Sequence, residues 1–160
     1  MKVCVTGGAG FIGSHTVDLL IFEGHSVFII DDLSTGKKEN VNSKATFYEM
    51  SILDSDLKKV FETEKPEVVM HLAAQSSVRV SIKDPKKDTD ANIVGTYNLM
   101  DACVISGVKK IVYSTTGGAL YGNPEKFPSD ETHKIEPLCP YGISKYAGEL
   151  FVEKNSNKFL

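Results

Sequence analysis

Arginine is almost absent from this chain: among 160 residues only Arg79 carries a guanidinium. With so few bidentate forks, a bound anion must be held by lysines or by backbone amides. Cysteine is scarce as well. Cys4, Cys103 and Cys139 are odd in number and fit no zinc or redox spacing, which excludes a disulfide framework and points to the reduced cytoplasm. No metal site is expected. Neither sign of charge dominates, the net being −3, so there is no electrostatic footprint for nucleic acid or an anionic membrane, and small molecules are the expected partners. Long apolar runs are missing and glycine interrupts the N-terminal one at Gly7, so neither a membrane span nor a signal peptide is expected. What remains, 41% hydrophobic and 24% charged, is the composition of an ordinary globular protein, and the length fits one domain over 1–160.

Short β-branched or aromatic runs predict strands at Lys2–Thr6, Ser26–Ile30, Ala45–Glu49, Val68–Leu72 and Lys109–Ser114. Helical spacing predicts helices over Phe11–Glu23, stopped by Gly24; over Asp54–Thr63, with Pro66 beyond it; over Asp90–Ser106, stopped by Gly107; and over Tyr141–Ser156. Asp84-Pro85 reads as a turn, and the Gly- and Pro-rich stretch Gly117–Pro140 as a long functional loop. Lys158-Phe159-Leu160 reads as a strand cut off at its start. Strands alternating with helices predict an α/β fold, a doubly wound parallel sheet in the order 3-2-1-4-5 with helices on both faces.

The first strand runs directly into Gly7-Gly8-Ala9-Gly10-Phe11-Ile12-Gly13. Gly8, Gly10 and Gly13 fit G-x-G-x-x-G; Gly7, Gly10 and Gly13 fit G-x-x-G-x-x-G as well. A phosphate can approach the backbone only where no Cβ intervenes, and amides at a helix N-terminus then face its charge. The second strand ends on Asp31, about 20 residues on, where an acid bonds a ribose diol and repels a 2′-phosphate. Strand, turn, helix, strand and acid in this order predict an NAD site; the competing reading is a structural turn with a surface acid. Farther on, Tyr141 and Lys145 stand four apart on one helical face. A nearby ammonium lowers a phenol's pKa, which makes Tyr141 a candidate acid/base, with a strand-end hydroxyl among Ser114, Thr115 and Thr116 to relay the proton.

Thr6–His15 (TGGAGFIGSH), Asp31–Gly36 (DDLSTG), His71–Gln75 (HLAAQ), Asn92–Thr96 (NIVGT), Ala119–Gly122 (ALYG) and Tyr141–Lys145 (YGISK) together resemble the extended short-chain dehydrogenase/reductases. Within them the likeness is to nucleotide-sugar epimerases of the UDP-glucose 4-epimerase type, and it covers essentially the whole chain. The resemblance implies a Rossmann-type domain in which Tyr141 takes the proton of a sugar 4-hydroxyl while hydride passes to NAD and later returns to the other face of the sugar. Lys145 would bond the nicotinamide ribose and tune Tyr141. Gly7, Gly10, Phe11, Ile12 and Gly13 would wrap the pyrophosphate, and Asp31 would hold the adenosine ribose with Asp32 and Ser34 alongside. Ser51 and Ile52 would lie at the adenine. Ala73, Ala74, Gln75, Asn92 and Ser114 would line the nicotinamide half. A homodimer through the helices at 90–106 and 141–156 is implied too, with a UDP-hexose as the expected substrate.

Three departures qualify the resemblance. The family commonly has Gly-Asp-Ile where this chain has Met50-Ser51-Ile52, so Ser51 stands in for an adenine-binding acid. Gly117 occupies the usual position of the catalytic hydroxyl; read as a one-residue insertion, Gly117-Gly118 hands that role to Thr116, with Thr115 the runner-up. The sixth strand and the substrate-gripping lobe expected of the family do not follow in the sequence given, so a non-catalytic NAD-binding or dimerisation module is the rival reading. A related sugar-nucleotide oxidoreductase or dehydratase is the other; dehydratases carry Asp-Glu after the hydroxyl residue, whereas here stand Gly117-Gly118-Ala119. His71, ending a strand beneath the cofactor, is expected to be structural, and His15 to cap the first turn of the nucleotide helix.

Overall fold

The computed structural model describes residues 1–124 and 126–155. Five strands form one parallel sheet: β1 (Lys2–Thr6), β2 (Ser26–Asp31), β3 (Thr46–Glu49), β4 (Val68–His71) and β5 (Lys110–Tyr113), in the order β3-β2-β1-β4-β5. The predicted strands and their order are those observed. β1 is central, pairing Val3 with Val27 on one side and with Val68 on the other. Its alternating side chains divide the core between two faces. Val3, Val5, Val27 and Ile29 pack under α1 (Phe11–Phe22) with Val17, while Cys4, Phe28 and Ile30 pack on the other face with Leu57 and Phe61 of α2 (Leu57–Glu64) and with Leu99, Ala102 and Cys103. Phe28 meets Phe61 and Tyr48 edge-on, with centroids 5.9 and 6.0 Å apart. Burying such a ring stabilises the fold by about 1.5–3 kcal/mol.

Helix boundaries moved where side chains compete with the backbone. α2 begins at Leu57 rather than Asp54 because the Asp54 carboxylate accepts from the Asp56 amide at 2.9 Å, closing a turn first. The predicted turn at Asp84-Pro85 is a helix start. Two short helices, α3 (Val78–Lys83) and α4 (Pro85–Thr89), precede a π-helical turn, Asp90–Val94, and α5 (Gly95–Ser106). Asp84 caps α4 by accepting from the Lys87 amide at 3.0 Å, and Pro85 occupies its first turn, where a missing N–H costs nothing. The long loop contains one short helix, α6 (Gly117–Leu120), before α7 (Pro140–Asn155). The strand expected at Lys158–Leu160 and the helix end at Ser156 lie outside the described residues. Among the described residues no helix is long and apolar enough to cross a membrane.

Because all five strands are parallel, their C-terminal ends share one edge: Thr6, Asp31, Glu49, His71 and Tyr113. The order reverses between β1 and β4, and the crevice at such a switch point is where open α/β sheets bind ligands.

Candidate functional site

The glycine turn after β1 is set by sterics. Gly7 has φ +73°, and a Cβ on Gly13 would stand 2.0 Å from the Gly7 carbonyl oxygen. The close packing lets α1 start directly after Gly10, whose amide donates to the Gly7 carbonyl at 3.1 Å. No side chain caps this helix, so the amides of its first turn, Phe11, Ile12 and Gly13, have no intrahelical partner and face the crevice. The side chains of Phe11 and Ile12 are 81% and 62% exposed, so what these residues offer an anion is their backbone. A pyrophosphate fits this cradle. His15 does not cap the turn: it is exposed and meets the Phe11 ring edge-on at 5.2 Å.

Asp31 is buried, and its carboxylate is aimed by two backbone donors, the amides of Ala9 at 2.9 Å and Leu33 at 2.9 Å. It therefore links the glycine turn to the loop after β2. Asp32 is exposed and accepts from the Ser34 amide at 2.9 Å, which places the pair on the rim beside Asp31. Ser51 accepts from the Leu53 amide at 3.2 Å. Ile52, expected at the adenine, has its side chain in the core against Gly95, while its carbonyl accepts from Asn98 at 2.7 Å. Core packing has claimed that side chain.

Thr6 Oγ1 accepts from the amides of Leu72 and Ala73, each at 3.2 Å, so its hydrogen goes to His71 Nδ1 at 2.7 Å. The His71 ring then carries its proton on Nε2 and donates to Thr96 Oγ1 at 3.1 Å, and Thr96 donates to the Asn92 carbonyl at 2.7 Å. Burial, with the Lys145 charge nearby, pulls the His71 pKa down to about 3. His71 is thus a neutral structural link, as its position in the sequence implies. Ala73 and Ala74 follow in the half-buried loop beyond β4. Gln75 and Asn92 are committed to each other rather than open to the crevice. The Gln75 amide donates to Asn92 Oδ1 and its carbonyl accepts from Asn92 Nδ2, both at 2.9 Å. The same Nδ2 reaches Ser144 Oγ at 3.1 Å, so Asn92, presented by the π-helical turn, ties the β4 loop to α7.

Tyr141, half-buried in the first turn of α7, has the Thr116 side chain as a hydrogen-bond partner of its phenol. Thr116 is the residue before α6, and Ser114 sits exposed just past β5. Lys145 is 4% exposed. The expectation that it lowers the Tyr141 pKa is not met in this arrangement. Burial raises Tyr141 above its ordinary value, with Asp88 and Cys139 adding to the rise, and only the Thr116 bond opposes it. The Lys145 ammonium lies instead over the Tyr113 ring, 4.1 Å from its centroid, where burial depresses its own pKa to about 8. Removing the one bond that favours phenolate gives a clean expectation. Thr116→Val raises the Tyr141 pKa, read from its ¹³Cζ NMR titration, whereas Thr115→Val leaves it in place; the opposite pattern would reassign the relay.

Sequence reasoning passed over Tyr113 and Asp88. Asp88 is 1% exposed, and its Oδ1 accepts from Gln75 Nε2 at 2.7 Å and Asn92 Nδ2 at 3.2 Å. Its spacing of four from Asn92 is a helical signal, obscured by reading Asp84-Pro85 as a turn.

The sequence matches the model of the NAD dependent epimerase/dehydratase family over residues 3–159. It is 48% identical over 151 residues to a putative UDP-glucose 4-epimerase of Methanocaldococcus jannaschii, a match covering 94% of this chain and 50% of that protein. The crystal structure of UDP-glucose 4-epimerase from Thermotoga maritima with UDP-glucose superposes with a TM-score of 0.96 at 47% identity, covering 99% of this chain and 52% of the other. That of the Thermus thermophilus UDP-glucose 4-epimerase complex with NAD gives a TM-score of 0.95 at 42% identity, covering 99% and 52%. The chain spans about half the length of these relatives.

Proposed function

Since the chain belongs to the NAD dependent epimerase/dehydratase family, we propose that it binds NAD and supplies the acid–base groups of a nucleotide-sugar 4-epimerase acting on a UDP-hexose. The observation that carries this reading is the Thr116–Tyr141 hydrogen bond, with Lys145 one turn further along α7, at the sheet edge onto which the glycine cradle and Asp31 open. NAD, when bound, supplies the acceptor and later the donor of hydride at C4 of the sugar. The first-turn amides at Phe11, Ile12 and Gly13 hold its pyrophosphate, and Asp31 takes the adenosine ribose with Asp32 and Ser34 beside it. Ser51, Ala73, Ala74 and Ser114 border the cofactor, and Gln75 and Asn92 fix the loop that does so.

Tyr141 removes the proton from the sugar 4-hydroxyl and Thr116 passes it on; the proton returns by the same route when the 4-keto group is reduced from its other face. For Tyr141 to act as a base at neutral pH, a cation must offset its burial. Rotation of the Lys145 side chain away from Tyr113 toward the phenol and the cofactor ribose supplies one.

The homodimer belongs to the same reading. α5 and α7 lie side by side through Tyr97 and Phe151, with ring centroids 5.4 Å apart, and leave Tyr97, Ile143 and Leu150 exposed, with Val94 exposed just ahead of α5. A cytoplasmic location fits the three free thiols.

Calorimetry and a coupled assay test the proposal together. NAD should bind about tenfold or more tightly than NADP, because a 2′-phosphate would meet the Asp31 carboxylate. UDP-galactose conversion should fall about a hundredfold or more in Tyr141→Phe with NAD affinity retained. Equal affinity for NADP removes Asp31 from its role. NAD binding without any conversion favours a cofactor-binding module.

A further inference from the structure

Asp88 Oδ2 is fully enclosed and has no hydrogen-bond partner among the described residues. A carboxylate left half-bonded in the interior is costly unless a charge nearby compensates it. Its orientation is fixed. Gln75 Nε2 and Asn92 Nδ2 both hold Oδ1, and Asn92 also grips Ser144, the residue preceding Lys145. Ser144 in turn donates to the Tyr141 carbonyl at 3.0 Å, so one bonded chain runs from Asp88 to the backbone that carries both Tyr141 and Lys145. Ser144 and Lys145 are 2% and 4% exposed, which keeps water from screening what lies between them and α4.

We propose that Asp88 is a positioning residue for the Tyr141 and Lys145 pair: its buried carboxylate, locked by Gln75 and Asn92, is the fixed counter-charge that keeps the Lys145 ammonium cationic at the cofactor edge. The inference rests on the reading of those two residues as the acid–base pair. The other groups facing Lys145 are Tyr113 from β5, under its ammonium; His71 from β4, which its charge pushes down; and Glu149 on α7, whose Oε2 is also enclosed without a partner. Burial lowers the Lys145 pKa, and Asp88 is the leading opposing influence, ahead of Glu149. His71 is neutral and Tyr113 is held protonated by burial, so the negative charge that can retain the proton comes from Asp88 and Glu149. Of the two, only Asp88 also fixes the backbone on which Lys145 stands. The same carboxylate pushes Tyr141 upward, so it restrains the phenol until the ammonium turns toward it.

The test is the titration of Lys145 by NMR in the chain carrying ¹³Cε-labelled lysine, with the Lys145 signal identified by its loss in Lys145→Met. Asp88→Asn keeps the shape and the Oδ1 acceptor but removes the charge. The Lys145 midpoint is expected to fall by about one pH unit or more, a tenfold loss of proton affinity. An unchanged midpoint in a variant whose remaining spectrum superimposes on the parent overturns the proposal. The unaltered chain provides a second measurement that needs no variant to fold. The Asp88 ¹³Cγ signal should shift with the same midpoint as Lys145, and a signal that stays flat through that midpoint overturns it too. Both readouts are free of cofactor and sugar, so failure to bind NAD would sink the proposed function and leave the Asp88 result to stand on its own.

Discussion

Gly13→Ala is expected to destabilise the chain by on the order of 4 kcal/mol and to abolish NAD binding. The added Cβ would sit 2.0 Å from the Gly7 carbonyl oxygen, 2.8 Å from the Gly7 carbonyl carbon and 2.8 Å from Gly8 Cα. Each of those atoms is backbone, so no side-chain rotation relieves the clash, and the helix must move away from the turn. Moving it separates the first-turn amides from the site they face. A control isolates the steric cause: Gly118 has nothing within 4 Å of its Cβ position, so Gly118→Ala should change stability by only a few tenths of a kcal/mol. Urea unfolding measures both, and calorimetry with NAD measures the loss of binding. Gly13→Ala stability within about 1 kcal/mol of the parent would mean that the turn is not packed as described.

Mild acid should weaken the fold well before carboxylates begin to titrate. An unfolded histidine takes up a proton below about pH 6.5, whereas native His71 resists until about pH 3. Between those values the unfolded state binds one more proton than the native state, so stability falls as pH falls. It is fully present above pH 6.5, and the loss is about 1.4 kcal/mol per pH unit, on the order of 4–5 kcal/mol across the whole window. The interval from pH 6.5 to 5 isolates His71, because the carboxylates with lowered values, Glu64, Glu67 and Asp130, titrate below it. Urea unfolding at pH 7 and pH 5 should differ by about 2 kcal/mol. Equal stability at the two pH values, or a His71 ring signal that titrates near pH 6, would mean that the Thr6–His71–Thr96 link opens in solution.

The central strands β1 and β2 were legible because each buries both faces. Val3 to Val5 and Val27 to Ile30 are continuous apolar runs ended by a glycine or an acid, and that pattern has one reading. The glycine turn was legible for the same reason its replacement is harmful, since the spacing of Gly7, Gly10 and Gly13 encodes a backbone contact. Harder to read were features that depend on three-dimensional competition. Asp54 looked like a helix start but closes a turn, and Asp84 looked like a turn but caps a helix; the same carboxylate chemistry serves both, and only the neighbouring amides decide. The Tyr141–Lys145 spacing correctly put both side chains near one edge. It could not reveal that Tyr113, thirty-two residues before Lys145 and bonded to its carbonyl, offers the ammonium a competing ring. Asn92 has the sequence context of a site residue, yet its amide is saturated by partners 17 and 52 residues away.

The central place of β1 bears on how the chain is made. Its residues leave the ribosome well before those of β4, and the pairing joins positions 65 apart, as in Val3 with Val68. At synthesis rates of about 5–20 residues per second, roughly 3 to 13 seconds pass before that partner exists. Through that interval Val3, Cys4 and Val5 present an unsatisfied, wholly apolar edge to whatever is nearby in the cell. Among the described strands, the one that anchors the finished sheet therefore waits longest for its full set of partners.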